Sequence, residues 1–88
     1  MPEANENGLI PVESSVTSVF YRRPSPGEDP FVEEGDQVND ESVVCLLEIM
    51  KCFRSVFAGA NGTVEKILVE NGAMVNKGDA LMLIRPDK

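Results

Sequence analysis

The residues with chemical capacity are concentrated in one hexapeptide, Glu48-Ile49-Met50-Lys51-Cys52-Phe53. It brings together a carboxylate, a primary amine and a thiol. The amine of Lys51 is a nucleophile once deprotonated, the carboxylate of Glu48 accepts hydrogen bonds, and the thiol of Cys52 can be oxidised. The chain has no His, which removes the commonest general base and the commonest metal ligand. Two Cys without a His cannot complete a four-ligand zinc site, so no metal centre is expected. What Lys51 does depends on where it sits. A Lys inside an apolar run is either a solvated residue on the outer face of a buried element, or the tip of a hairpin placed to be reached.

The run in question, residues 43–58, contains no Gly, Pro, Asn or Asp, and is apolar except at Glu48, Lys51, Arg54 and Ser55. An internal repeat decides how it must fold. V-E-E-G-D-Q-V-N-D at 32–40 matches V-E-N-G-A-M-V-N-K at 69–77, with Val, Glu, Gly, Val and Asn coinciding at an offset of 37. The register continues, so that Leu46 falls on Leu83 and Leu47 on Ile84. The strand ending near Leu47 therefore has its twin near the end of the chain. After Leu47 the chain must turn and return, which makes 49–52 a hairpin between strands at 43–48 and 53–57. A helix over 43–58 is the rival, but it leaves the first repeat without its last strand. With Met50 and Lys51 at the centre of the turn, the sequence departs from the Asn-Gly or Asp-Gly that tight hairpins favour. Local rules are broken most often at functional positions. Large apolar side chains at a tip are unfavourable in water unless something binds them. A protruding amine between apolar handles suits acylation by another enzyme.

Around this tip, Val, Thr and aromatic content predicts strands beginning at Leu9–Val12 and covering 14–21, 31–32, 63–69 and 80–84. Turn signals fall at 34–36, 60–62, 71–72 and 77–79, and Pro86 ends the last strand. Such spacing without helix caps points to an all-β sandwich or barrel. Its two halves are each too short to bury an apolar face alone, so they are expected to pack about a pseudo-two-fold axis. Three Pro and a Gly within 22–30 demand an exposed loop. Phe20-Tyr21 aligns with Val64-Glu65, so residues 22–29 are an insertion of about seven residues, either a functional surface loop or a tolerated spacer. Cys45 lies about 13 Å from Cys52 along such a hairpin at ~3.3 Å per residue, beyond the roughly 7 Å limit of a disulfide. Cys45 is read as core, and Glu33, Glu34, Asp36, Asp40 and Glu41 as a solvated face.

Composition narrows the function further. The net charge is −7, and only 6% of residues are aromatic, so the one small core must be aliphatic. Residues 1–47 carry ten acids and two bases, residues 48–88 five acids and six bases. Neither half has a basic cluster, which argues against nucleic-acid binding. No stretch is apolar for the ~20 residues a membrane span needs, and the N-terminus lacks the pattern of a secretory signal. Together with the two unpaired Cys this points to a reducing, cytoplasmic setting. Residues 1–9 are expected to be a flexible segment, and 10–88 the domain.

The hexapeptide resembles the E-A-M-K-M signature of biotinyl domains. The loop in F-Y-R-R-P-S-P-G-E-D-P-F-V resembles the thumb segment F-Y-R-S-P-S-P-G of biotin carboxyl carrier subunits of acetyl-CoA carboxylase. N-G-T-V-E-K-I-L-V-E-N-G and V-N-K-G-D-A-L are similar too, so the resemblance runs from Val12 to Ile84. It implies a flattened β-barrel or sandwich of two four-stranded antiparallel sheets, with a lysine hairpin at 48–53 and a thumb at 22–29. It implies covalent biotin on Lys51, attached by a biotin protein ligase, with Met50, Glu48, Ile49 and Cys52 as the surrounding recognition residues. The thumb residues are Arg22, Arg23, Pro24, Ser25, Pro26, Gly27, Glu28 and Asp29. Arg22 and Arg23 are either contacts to biotin's neighbourhood or a partner, or two exposed charges. The further partners implied are a biotin carboxylase, which loads carboxylate onto biotin, and a carboxyltransferase, which removes it. The domain itself is not a catalyst. The compartment implied is the cytoplasm, or the plastid stroma for a processed fragment. Ile49 and Cys52 depart from the Ala and Met of the signature. Two other readings remain at this point: a lipoyl carrier on the same fold, and an unmodified β-barrel used as an assembly module.

Overall fold

The computed structural model describes residues 8–87. Eight strands follow one another: β1 (Ile10–Glu13), β2 (Ser18–Tyr21), β3 (Gln37–Val38), β4 (Val43–Ile49), β5 (Cys52–Phe57), β6 (Gly62–Ile67), β7 (Met74–Val75) and β8 (Ala80–Pro86). They form two four-stranded antiparallel sheets, ordered β1-β8-β6-β3 and β5-β4-β2-β7. The expected all-β sandwich is therefore the observed one. Among the described residues there is no helix, so the helical rival for 43–58 is excluded. Most of the expected flexible segment, residues 1–7, lies outside the described residues, while Leu9 is buried.

The repeat is written into the hydrogen bonding. β3 falls on β7 and β4 on β8 at an offset of 37, whereas Ser18 of β2 falls on Gly62 of β6 at an offset of 44. The difference, seven residues, is the loop inserted after Tyr21. The Gly35 N–H donates to the Val64 carbonyl at 2.8 Å, and the equivalent Gly72 N–H donates to the Phe20 carbonyl at 2.7 Å. Both glycines have positive φ, +97° and +87°, a region that L-residues with a Cβ seldom enter. The Asn39–Ser42 turn, closed by the Ser42 hydroxyl, recurs as Asn76–Asp79, closed by the Asp79 carboxylate.

The core lies between the sheets and is aliphatic apart from Phe20. Phe20, Leu47, Leu81, Met82, Ile84, Val44, Val64, Val75 and Cys45 are almost wholly removed from water. In β4 two successive residues, Val44 and Cys45, are both buried, and in β8 so are Leu81 and Met82. Strict alternation forbids this. The pairing shifts by one residue at both places, so each pair marks a bulge that adds an inward residue.

Two strand expectations are corrected. The segment 14–21 is not one strand, because the chain leaves β1 in one sheet and enters β2 in the other. Residues 15–17 bend at that crossing, and the Ser14 and Ser18 hydroxyls both donate to the Val16 carbonyl. Phe31 and Val32 are not a strand either. The Phe31 N–H donates to the Arg22 carbonyl at 2.8 Å and closes the base of the inserted loop, so it cannot serve a ladder.

Candidate functional site

Ile49 pairs with Cys52, so Met50 and Lys51 form the whole turn between β4 and β5. Their φ values are +51° and +67°. Two central residues at positive φ are what a two-residue hairpin requires to match strand twist. A side chain with a Cβ pays roughly 1–2 kcal/mol per residue there. The chain accepts that cost twice to carry Met and Lys instead of Asn and Gly. Met50 is 92% exposed and Lys51 is exposed. Among the described residues, the Lys51 amine has no hydrogen-bond or ion-pair partner.

Glu48, the nearest carboxylate in sequence, is committed elsewhere. Its Oε1 accepts a hydrogen bond from the Tyr21 hydroxyl at 2.9 Å. The Tyr21 ring meets Phe53 with centroids 5.9 Å apart and planes tilted by 55°. Tyr21, Glu48 and Phe53 come from β2, β4 and β5, three adjacent strands, so the cluster ties the base of the inserted loop to the lysine hairpin. The sequence assigned Glu48 to recognition, gave Phe53 no role beyond its place in the hexapeptide, and did not single out Tyr21. A signal was available: in the repeat Tyr21 and Glu48 fall on Glu65 and Arg85, which form a salt bridge of 2.9 Å. Both halves thus place a complementary pair at the same cross-strand position.

The hydrogen bond to Glu48, aided by partial burial and by the nearby negative charge, raises the Tyr21 pKa above its usual value. The folded state therefore holds this proton more tightly than the unfolded state does. The contribution to stability is complete below the unfolded pKa and is lost as pH rises through the folded one. Tyr21 is the only Tyr and there is no Trp, so absorbance of the phenolate reports it alone. The expected titration midpoint lies above ~10. Glu48→Gln, which keeps an acceptor but removes the charge, brings it down. An unchanged midpoint in that variant contradicts the assignment.

The inserted loop, residues 22–29, is braced from within. The Arg22 N–H donates to Asn71 Oδ1 at 2.8 Å, and Arg22 Nη2 reaches the Val32 carbonyl at 3.3 Å. Arg23 Nη1 donates to the Glu28 carbonyl at 2.8 Å, across a turn in which the Glu28 N–H bonds the Ser25 carbonyl. Arg22 and Arg23 are therefore structural ties of the loop, and Arg22 is half-buried, not a free exposed charge. The loop and β5 enclose a cleft of about 430 Å³, lined by Tyr21, Arg23, Pro24, Pro26, Phe53 and Asn71 among others. Its size and mostly apolar wall suit a small organic group.

The two thiols are both free. Cys52 is exposed beside Lys51, whereas Cys45 is in the core, where burial pushes its thiol up to about 12. The acidic residues Glu33, Glu34, Asp36, Asp40 and Glu41 are exposed, as expected, though Glu34 also accepts the Ile67 N–H at 3.0 Å. No cluster of three or more metal-ligating side chains exists among the described residues. Among the described residues no helix is long and apolar enough to cross a membrane.

Residues 11–84 match the family described as biotin-requiring enzymes. The chain belongs to that family. It is 43% identical over 79 residues to the biotin carboxyl carrier protein of acetyl-CoA carboxylase of Nostoc sp., a match covering 90% of this chain and 43% of that one. It is 40% identical over 76 residues to a chloroplastic biotin carboxyl carrier protein of acetyl-CoA carboxylase from Arabidopsis thaliana, covering 86% of this chain and 30% of the relative. The chain thus spans less than half the length of these relatives. A single-chain, multi-domain long-chain acyl-CoA carboxylase shares the fold with a TM-score of 0.76 at 18% identity, covering 92% of this chain and 7% of that one. The all-β sandwich that the repeat predicted is observed, and the biotinyl fold that the resemblance implied is the fold these comparisons support.

Lys51, Met50, Glu48, Ile49 and Cys52 all lie within the matched segment and are brought to one end of the sandwich by the β4–β5 hairpin. The residues present fit a covalently attached biotin. The amine is exposed and, among the described residues, unpaired, and Phe53, two residues on, lines the cleft beside the inserted loop.

Proposed function

We propose that residues 10–88 are a biotin carrier domain in which Lys51 is the attachment site and residues 22–29 are the thumb. The observation that carries this reading is the hairpin tip. A lysine occupies a left-handed turn position at the tip of the β4–β5 ladder, within a segment that matches the biotin-requiring family. When bound, biotin supplies the chemistry of carrying carboxylate from a biotin carboxylase to a carboxyltransferase. The names of the relatives support an acetyl-CoA carboxylase as the assembly, and fatty acid synthesis is the process such an assembly would serve. The setting is a bacterial cytoplasm or a chloroplast.

This chain's own residues present and position. The ladder from Val43↔Phe57 to Ile49↔Cys52 holds the lysine clear of the barrel. The Tyr21 hydroxyl donates to the Glu48 carboxylate, which makes no ion pair with the Lys51 amine. A biotin protein ligase must therefore bring the base as well as the activated acyl group, and the amide it forms removes one positive charge. The domain contributes reach and effective concentration to the carboxylase, not catalysis.

Intact mass after incubation with biotin, ATP and a biotin protein ligase tests the assignment. One biotin is expected on the wild-type chain and none on Lys51→Arg, which keeps the charge but lacks an acylatable amine. Wild-type protein left unmodified by an active ligase overturns the reading.

A further inference from the structure

The internal repeat provides a control for the lysine end of the molecule. Three side chains near the hairpin have equivalents at the opposite end of the sandwich: Val19 falls on Thr63, Met74 on Gln37 and Met50 on Asp87. At that opposite end the cross-strand pair Thr63 and Gln37 is polar and satisfied. Thr63 Oγ1 donates to Gln37 Oε1 at 3.3 Å, and Gln37 Nε2 donates to Asp87 Oδ2 at 3.0 Å. At the lysine end the equivalent pair is Val19 and Met74. Met74 is 67% exposed where its counterpart is Gln37, and Met50 stands at the counterpart of Asp87. The ladder is the same at both ends, so the fold does not require apolar side chains here. Contiguous exposed apolar surface marks an interaction site, and methionine adapts its shape to a partner at little cost.

Val19, Met74, Met50, Ile49, Glu48 and Lys51 line one shallow depression of about 460 Å³. We propose that the Val19–Met74 strip is the docking surface for the ligase that acylates Lys51, an inference that rests on the carrier function above. The occupant follows from reach. The acylating enzyme must bring its activated group to the amine itself, so it has to cover the depression that the amine shares with the strip. Enzymes that act after attachment meet the group at the end of an extended arm, beyond the strip.

The test replaces the pair with its own counterpart from the opposite end, Val19→Thr with Met74→Gln. Attachment is followed by intact mass at varied domain concentration, and carboxylation is measured on fully biotinylated domain with a biotin carboxylase. The expected result is a fall of about tenfold in kcat/KM for attachment, carried by KM, as loss of a central apolar contact gives. Thermal stability and carboxylation stay unchanged. The mirror variant, Gln37→Met with Thr63→Val, leaves attachment at the wild-type rate. Unchanged kcat/KM in the Val19→Thr/Met74→Gln variant, on a wild-type chain that is modified, overturns the docking surface alone. A loss confined to carboxylation overturns it as well. A wild-type chain that the ligase does not modify overturns both this surface and the carrier reading.

Discussion

Gly62→Val is expected to lower stability by about 3 kcal/mol or more, at or above the top of the range for forcing extra atoms into a packed position. A Cβ at Gly62 would sit 2.1 Å from the Arg85 carbonyl oxygen, 2.9 Å from its carbonyl carbon and 3.0 Å from Ile84 Cγ2. Two of these are backbone atoms, so no rotamer change relieves the contact. Gly62 pairs with Pro86 on one side and Val38 on the other, and β6 lies between β8 and β3. A shift there disturbs both ladders. The equivalent residue in the first half is Ser18, which is buried and does carry a Cβ. It fits because the β2–β4 ladder begins one pair later, at Val19↔Glu48. Glycine thus allows the second half to extend its pairing by one step. Ser18→Ala, which removes only the hydroxyl bond to Val16, should cost about 1 kcal/mol. In a domain of this size each kcal/mol moves Tm by ~4–8 °C. Thermal melts should therefore show a fall of roughly 12 °C or more for Gly62→Val. A Tm within a few degrees of wild type means that the ladder opens at its end without loss.

The repeat explains how much of this was legible beforehand. Equal spacing of Val, Glu, Gly, Val and Asn reports turns that recur because the same backbone is built twice, and those turns set the strand order. The seven-residue loop was visible as the place where the two halves fall out of step. The position of Lys51 followed from the same register, since the twin of Leu47 lies next to the end of the chain. What sequence could not supply was the environment of each side chain. Strand 14–21 looked continuous because Val, Thr and Phe favour strands in either sheet. The crossing between sheets at 15–17 depends on where β8 and β4 lie, which no local propensity encodes. For Arg22 and Arg23 the sequence left open contacts to biotin's neighbourhood or a partner, or two exposed charges. Their bonds go to Val32, ten residues away, and to the Glu28 carbonyl, and both depend on the loop's own path. Tyr21 carried no functional signal by itself. Its partner Glu48 is 27 residues distant, and only the alignment of the halves sets the two side by side.

Replacing Met50-Lys51 by Asn-Gly is expected to abolish attachment of biotin while making the domain more stable. Loss of attachment follows because no amine remains at the tip. The gain follows from the backbone. At φ of +51° and +67° both native residues hold their Cβ against the following carbonyl, at roughly 1–2 kcal/mol each. Asn tolerates this region and Gly has no Cβ to strain, which is why the pair dominates two-residue hairpins. Part of the gain is offset, because glycine loses about 0.5–1 kcal/mol more chain entropy on folding. A net stabilisation of about 1 kcal/mol remains, a rise in Tm of ~4–8 °C. Single variants separate the two effects. Lys51→Arg should remove attachment without changing Tm, since Arg feels the same left-handed strain. Met50→Asn should raise Tm by part of the total and keep the amine. If the Asn-Gly variant melts below wild type, the Met50 and Lys51 side chains stabilise the hairpin through contacts of their own. If it melts above, the domain holds its nucleophile in a strained turn at the end of the β4–β5 ladder.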